Sequence, residues 1–460
     1  MLERLTTLDA SYLYLEEPDA PLHVAGVLLL DPPPGGLDAI AALVEARLPQ
    51  VPRYRQRVLE VPGRLADPVW ADEPDVDVAY HVRQSALPRP GTEAQLVDLV
   101  SRVISRPLDR SRPLWELYLV EGLADGRVAV VTKTHPALVD GLGAVDIAQV
   151  LLDPSPDTPV PEVAPWRPHR LPTGPELLRT ALAEYVQRPS AAVETLGAAV
   201  TDVRATLARL GGATTGLVRA ARSAVFPAPH SPLNTTYGRQ RRVAFARADL
   251  ADLRAVRRAH GGTINDVLLT VVTGALRDWL LSRGVAVVAS TSVRALVPVS
   301  VTGDEEQAPG NRVASHLVDL PVGEPNPRVR LARVSYAMRG VARTGRSVRA
   351  DTLIALTGFA PPTLHALGAR AARGLSRRMF NLMITNVPGP QVPLYAAGAR
   401  MTEVFAVVPL VRGQGLSIGM TSYDGRVYVC LNADRDTVGD VDLLADLIEQ
   451  EMAELVEASR

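Results

Sequence analysis

The amino-acid sequence predicts an α/β fold arranged in two halves, and three observations carry that expectation. Apolar runs of strand length alternate along the chain with segments whose apolar residues recur every three or four positions, the two periodicities of strands and helices. Asp125-Gly126 and Asp424-Gly425 each separate two apolar runs, which is a hairpin signal in each half. The chain has 460 residues, too many for one ordinary core, and a proline-rich stretch without periodicity interrupts it at residues 153–172. The expected division is 1–155, a linker and helical connector over 156–230, and 231–460.

Composition narrows the function classes. Hydrophobic residues make up 47% of the chain, charged residues 22%, and the formal net charge is -1. This lacks the basic excess of a nucleic-acid binder, so nucleic acid is not an expected partner. Aromatics are only 4%, which leaves Leu, Val and Ala to build the core around Trp70, Trp115, Trp166 and Trp279. Cys430 is the single cysteine, which excludes an intrachain disulfide and a cysteine metal cluster, and it reads as a buried strand residue. Lys133 is the only lysine, so a phosphate clamp has to rely mainly on arginine. The N-terminal residues lack the order of a secretory signal and no apolar run is long enough for a bilayer, so the expected location is cytoplasmic.

In the first half, an apolar strand is expected within residues 24–31, preceded by His23, whose favoured reading is a hydrogen-bonded edge residue. Residues 37–48 and 93–104 have helical spacing. The run 75–82 alternates as a strand, placing His81 at the surface or an edge. Two strands, 114–123 and 127–134, meet at Ala124-Asp125-Gly126 and end beside His135. A helix follows over 142–152. In the connector, 175–186 and 193–210 keep the three-four spacing of amphipathic helices. A packed connector is the favoured reading there, although Arg204, Arg209, Arg219 and Arg222 accompany the apolar face and suit a membrane surface.

In the second half, Asp249 is expected to cap a helix over 249–259. Thr263 with Asp266 forms a capping box opening a longer helix through residue 281, so Asn265-Asp266 has structural and functional readings of equal weight. Residues 285–301 read as a strand whose only charge is Arg294, which needs a carboxylate partner if buried. Two helices are expected between residues 327 and 373, then closing strands 415–422 and 426–432 and a final helix, 438–457.

The segment 126–143 reads G-R-V-A-V-V-T-K-T-H-P-A-L-V-D-G-L-G and puts His135 at the junction of a strand and a helix. It resembles the H-H-x-x-x-D-G motif of the coenzyme A-dependent acyltransferase superfamily. Pro113-Leu114-Trp115-Glu116, the opening L-D-A-S-Y-L-Y-L-E and P-L-H-V-A-G-V-L-L-L-D, Asn265-Asp266, and I-T-N-V-P-G-P-Q-V-P-L-Y-A-A-G from residue 384 resemble the bacterial wax ester synthase/diacylglycerol acyltransferase family. The resemblance runs from Leu8 to the last helix. It implies two chloramphenicol-acetyltransferase-like halves, each a mixed sheet flanked by helices, around a central channel.

The resemblance further implies transfer of a long-chain acyl group from acyl-CoA to diacylglycerol or a long-chain alcohol. Acyl-CoA is then a co-substrate, with no other cofactor and no metal. Contact with the inner membrane or a lipid inclusion would be peripheral. The implied catalytic residues are His135 and Asp140, and the substrate-binding residues are Gly141, Asn265 and Asn386. Pro136 and Arg294 are structural at the site, with Asp140 the expected partner of Arg294.

One position departs from the family pattern. The second motif histidine, the family's general base, is Pro136 here, and a proline amide nitrogen has no lone pair to give. Three readings follow. The favoured one is an acyltransferase using His135 or water as base. The second is an inactive lipid- or acyl-CoA-binding paralogue, and the third, the weakest, a relative taking acyl groups from a carrier protein.

Overall fold

The computed structural model describes residues 3–17, 19–138, 150–159, 162, 166–187, 227–236, 238–300, 313–344, 347–349 and 379–459. The first half runs β1 (Glu3–Arg4), α1 (Thr7–Leu15), β2 (Val24–Leu30), α2 (Gly36–Arg47), β3 (Gln56–Leu59), β4 (Val69–Asp72), α3 (Val78–His81), β5 (Val82–Ala86), α4 (Glu93–Ile104), β6 (Trp115–Glu121) and β7 (Val128–Thr134). Helix α5 (Gly174–Gln187) lies in the connector. The second half runs β8 (Arg241–Asp249), α6 (Leu250–His260), α7 (Ile264–Ser282), β9 (Val293–Ser300), β10 (Val313–Leu320), α8 (Pro327–Thr344), β11 (Ser347–Arg349), β12 (Leu382–Pro388), β13 (Tyr395–Ala396), β14 (Ala399–Val407), β15 (Leu416–Tyr423), β16 (Arg426–Asp434) and α9 (Val441–Glu457).

Two large sheets organise these elements. One has the order β13-β14-β2-β7-β6-β5 and the other β11-β10-β9-β12-β15-β16-β8, with β1, β4 and β3 in a small third sheet. Both large sheets are mixed, as expected: β5 and β6 are parallel, and β12 is parallel to β9 and β15. The chain crosses between them. Strands β13 and β14 come late in sequence yet complete the first sheet, β14 pairing with β2. A division at residue 231 by chain position does not anticipate this exchange.

The crossover makes the sheets share a core. Phe245 of β8 stacks on Phe405 of β14 with centroids 3.9 Å apart, and Tyr428 of β16 meets Phe405 edge-on. Arg247 bonds Glu93 and Glu403, joining β8 to α4 and β14. A Cβ on Gly419 of β15 would fall 2.1 Å from the Ala406 carbonyl, so this approach of the sheets requires glycine. Ser101 of α4 and Ser105 at its C-cap accept the backbone N–H groups of Val243 and Arg241.

Several local expectations change. Residues 75–82 are not a strand, because Asp77 caps the single turn α3 through the Tyr80 N–H. His81 is consequently buried, stacked on Trp115 at 4.5 Å and hydrogen-bonded to its carbonyl. Strand β9 begins at Val293, after a loop over 285–292. Asp249 occupies the N-cap of α6 but makes no side-chain cap, facing Arg426 instead. His23 is 4% exposed, an interior residue and not an edge one. The linker packs on the first half: Asp153 bonds Arg47, and the Trp166 indole donates to the Glu73 carbonyl. The helix over 142–152 lies almost wholly outside the described residues. So do 193–210 with Arg204, Arg209, Arg219 and Arg222, and the second helix expected before residue 373.

Candidate active site

Strand β7 delivers His135. All seven β7 residues are buried, and His135 follows with its N–H bonded to the Leu114 carbonyl at 2.9 Å. Pro136 cannot continue a ladder, having no N–H, and the chain turns into a short 3-10 segment, Pro136–Leu138. The His135 side chain is 1% exposed. Its Nδ1 accepts the Ala137 N–H at 3.2 Å, which fixes the proton on Nε2. Among the described residues Nε2 has no hydrogen-bond partner, and it stands 3.9 Å from Glu16 Oε2. Burial lowers His135 to about 4, with Glu16 opposing and Arg110 assisting. The ring is therefore neutral at pH 7, and its lone pair is engaged by the backbone.

Glu16 was not singled out by sequence reasoning. It ends α1, accepts from Arg110 at 2.7 and 3.2 Å, and takes the Leu22 N–H at 3.1 Å. Arg110 is ninety-four positions away, so no local pattern announces the pair. A second cluster lies beneath it on the hairpin. The Lys133 ammonium is fully buried, donating to the Arg106 carbonyl at 2.5 Å and lying 3.4 Å from Glu116. Burial lowers Lys133 while Glu116 opposes. Glu116 also takes the Tyr118 hydroxyl at 2.9 Å and faces Arg83 at 3.3 Å. The hairpin register sets Glu116 opposite Lys133, so the Asp125-Gly126 turn with a lone lysine was the available signal. The only lysine is thus occupied in the interior.

In the second half, the expected capping box of α7 is present. Thr263 accepts the Asp266 N–H at 3.1 Å and Asp266 accepts the Thr263 N–H at 2.9 Å and the Ser335 hydroxyl at 3.1 Å. Asp266 thereby serves structure. Asn265 beside it is half-buried and accepts from Asn386 of β12 at 3.1 Å. The fold brings these two predicted site residues together from positions 121 apart.

Arg294 has a carboxylate partner in Asp319, directly opposite on β10, at 2.7 Å. Asp319 is 44% exposed, so this pair is not the fully buried one expected. Asp140 and Gly141 lie outside the described residues. Among the described residues, His135 makes no hydrogen bond with Asn265 or Asn386. No group of three or more His, Cys, Asp and Glu side chains suited to a metal occurs among them, and no helix is long and apolar enough to cross a membrane.

A family model described as the wax ester synthase/diacylglycerol acyltransferase catalytic domain matches residues 5–268, and one described as the WS/DGAT C-terminal domain matches residues 309–456. The chain is 33% identical to the Mycobacterium tuberculosis H37Rv protein tgs1, named a probable diacylglycerol O-acyltransferase, over 100% of this chain and 97% of that one. Its structure resembles the wax ester synthase/diacylglycerol acyltransferase from Marinobacter aquaeolei VT8 with a TM-score of 0.69 and 28% identity, covering 99% of both chains. It also resembles the first condensation domain of the CDA synthetase, with a TM-score of 0.59 over 100% of this chain and 96% of that one. Identity there is 15%, a likeness of fold alone.

Proposed function

Because the chain belongs to the wax ester synthase/diacylglycerol acyltransferase family, we propose that it transfers a long-chain acyl group from acyl-CoA to diacylglycerol or a long-chain alcohol. The observation that carries this is the match along the whole chain, with both family domains in order. The acceptor oxygen attacks the thioester carbonyl, the C–O bond forms as the C–S bond breaks, and the hydroxyl proton ends on the coenzyme A thiol. Acyl-CoA is a co-substrate, and the reaction calls for no further cofactor.

The proton is the weak point of this chain's chemistry. Pro136 occupies the position of the family's base, and the His135 lone pair is held by the Ala137 N–H. Turnover then rests on holding thioester and alcohol together, which alone supplies a large part of the barrier reduction. General-base help is worth about a hundred- to ten-thousandfold, so turnover is lower by that order. Asn265 and Asn386 are assigned to substrate contact, supported by their mutual bond at a half-exposed strand end. His135 and Arg294 are assigned to positioning, with Asp140 as a second anion for Arg294 and Gly141 at the turn. The lipid acceptor calls for peripheral contact with a membrane or lipid inclusion.

Purified protein with radiolabelled palmitoyl-CoA and either diacylglycerol or hexadecanol tests this. Acceptor-dependent ester together with equimolar thiol release is the expected result. A second reading, an acyl-CoA-binding paralogue without turnover, is favoured by Pro136 and by the engaged lone pair. Stoichiometric acyl-CoA binding with no ester in either acceptor would establish it instead.

A further inference from the structure

A small cavity lies on the seam between the two large sheets. His23, Ala25 and Ile104 line it from the first half, and Arg241, Leu410 and Asn432 from the second. Its volume, about 10 Å³ of space for the centre of a water molecule, fits one water.

Two lining side chains carry buried polar atoms without partners among the described residues, His23 Nδ1 and Asn432 Oδ1. With the ring proton on Nε2, His23 Nδ1 presents its lone pair, and it meets no donor among the described residues. Burial, then the neighbouring Lys133 and His135, keep this ring neutral, so Nδ1 stays an acceptor. The Asn432 amide donates its N–H to the Val408 carbonyl at 2.8 Å, which orients Oδ1 as the other acceptor. Arg241 is 5% exposed and spends N–H groups on the Gly238 and Asp19 carbonyls.

The cavity therefore presents two acceptors beside a guanidinium. A cation would meet the arginine, and an anion would meet two lone pairs. An alcohol offers a single O–H. The ligand of matching size and chemistry is a neutral molecule with two donors.

We propose that this cavity is a binding site for one structural water, which donates one O–H to His23 Nδ1 and the other to Asn432 Oδ1. The water joins the end of β2 in one sheet to β16 in the other, and holds the His23 ring near His135, since the β2–β7 register ends with Val24 opposite Thr134, the residues next to each histidine. His23 is a positioning residue in this arrangement, and the site stands whether or not the chain turns over acyl-CoA.

A crystal structure of the full chain at about 1.8 Å or better tests it directly. One water peak at roughly 2.7–3.2 Å from both atoms is expected. An empty cavity, or either atom paired with a protein donor, would overturn the proposal. Thermal unfolding of His23→Phe, Asn432→Leu and the double variant gives an independent reading. Each single change strands the opposite acceptor and lowers Tm, while the double change lowers it by clearly less than the sum. Strictly additive shifts in folded variants would count against the water.

Discussion

Across Pro136, the Ala137 N–H donates to Nδ1 of His135 at 3.2 Å, so the one motif histidine this chain retains has its lone pair tied to its own backbone. Proline makes this geometry natural. It ends the strand, fixes its own backbone angle and tightens the turn that carries Ala137 back under the ring. The imidazole is thus an anchor of the turn, and its low proton affinity comes from burial.

Acid stability follows from that burial. Unfolded, His135 takes a proton near 6.5, whereas folded it does so only at about 4. Between those values the unfolded state binds more protons, so stability falls as pH falls. The contribution is intact above the upper value and is lost on the way to the lower one, at most about 3 kcal/mol. His23, lowered for the same reason, acts in the same direction. Denaturation midpoints between pH 7 and 4.5 should fall less steeply in His135→Gln than in the wild type, and equal slopes would rule out the buried neutral ring.

Gly274 on α7 is expected to tolerate no side chain. An added Cβ would sit 2.0 Å from Arg330 Nη1 and 2.1 Å from Glu451 Oε2, which form a buried pair at 2.6 Å. Separating such a pair costs roughly 3–5 kcal/mol. Urea denaturation of Gly274→Ala should show a loss of that size, and an unchanged midpoint would mean the pair shifts without cost.

The amide pair gives a test of substrate contact. Asn265→Ala and Asn386→Ala each remove one hydrogen bond worth about 1 kcal/mol, half-exposed and therefore cheap for folding. If these amides hold substrate, KM or kcat should worsen several-fold in both while Tm moves little. Stability loss without a kinetic effect would assign the pair to the scaffold alone.

Much of the fold was legible because its signals are local. Thr263 and Asp266 lie three residues apart and form the expected box, and the Asp125-Gly126 and Asp424-Gly425 turns join the expected strands. What was not legible depends on distant partners. No pattern near Tyr395 indicates that it leaves one half to complete the sheet of the other, because strand exchange is decided by packing such as Phe245 on Phe405. His81 alternates like an edge-strand residue, yet Asp77 turns the chain and Trp115 supplies a ring to stack on. Arg294 shows the same limit at the site. The need for a carboxylate was readable from its apolar neighbours, but Asp319 becomes visible only once β9 and β10 are paired.

An acyltransferase of this family that lacks a proton acceptor at position 136 should regain speed when one is restored there. Steady-state thiol release and ester formation by wild type and Pro136→His, at saturating acyl-CoA with diacylglycerol or hexadecanol, test it most directly. Slow, acceptor-dependent ester formation is expected of the wild type, and a rate higher by roughly two to four powers of ten of the variant. A folded Pro136→His protein that forms ester no faster than the wild type, or no ester from either protein, would contradict it.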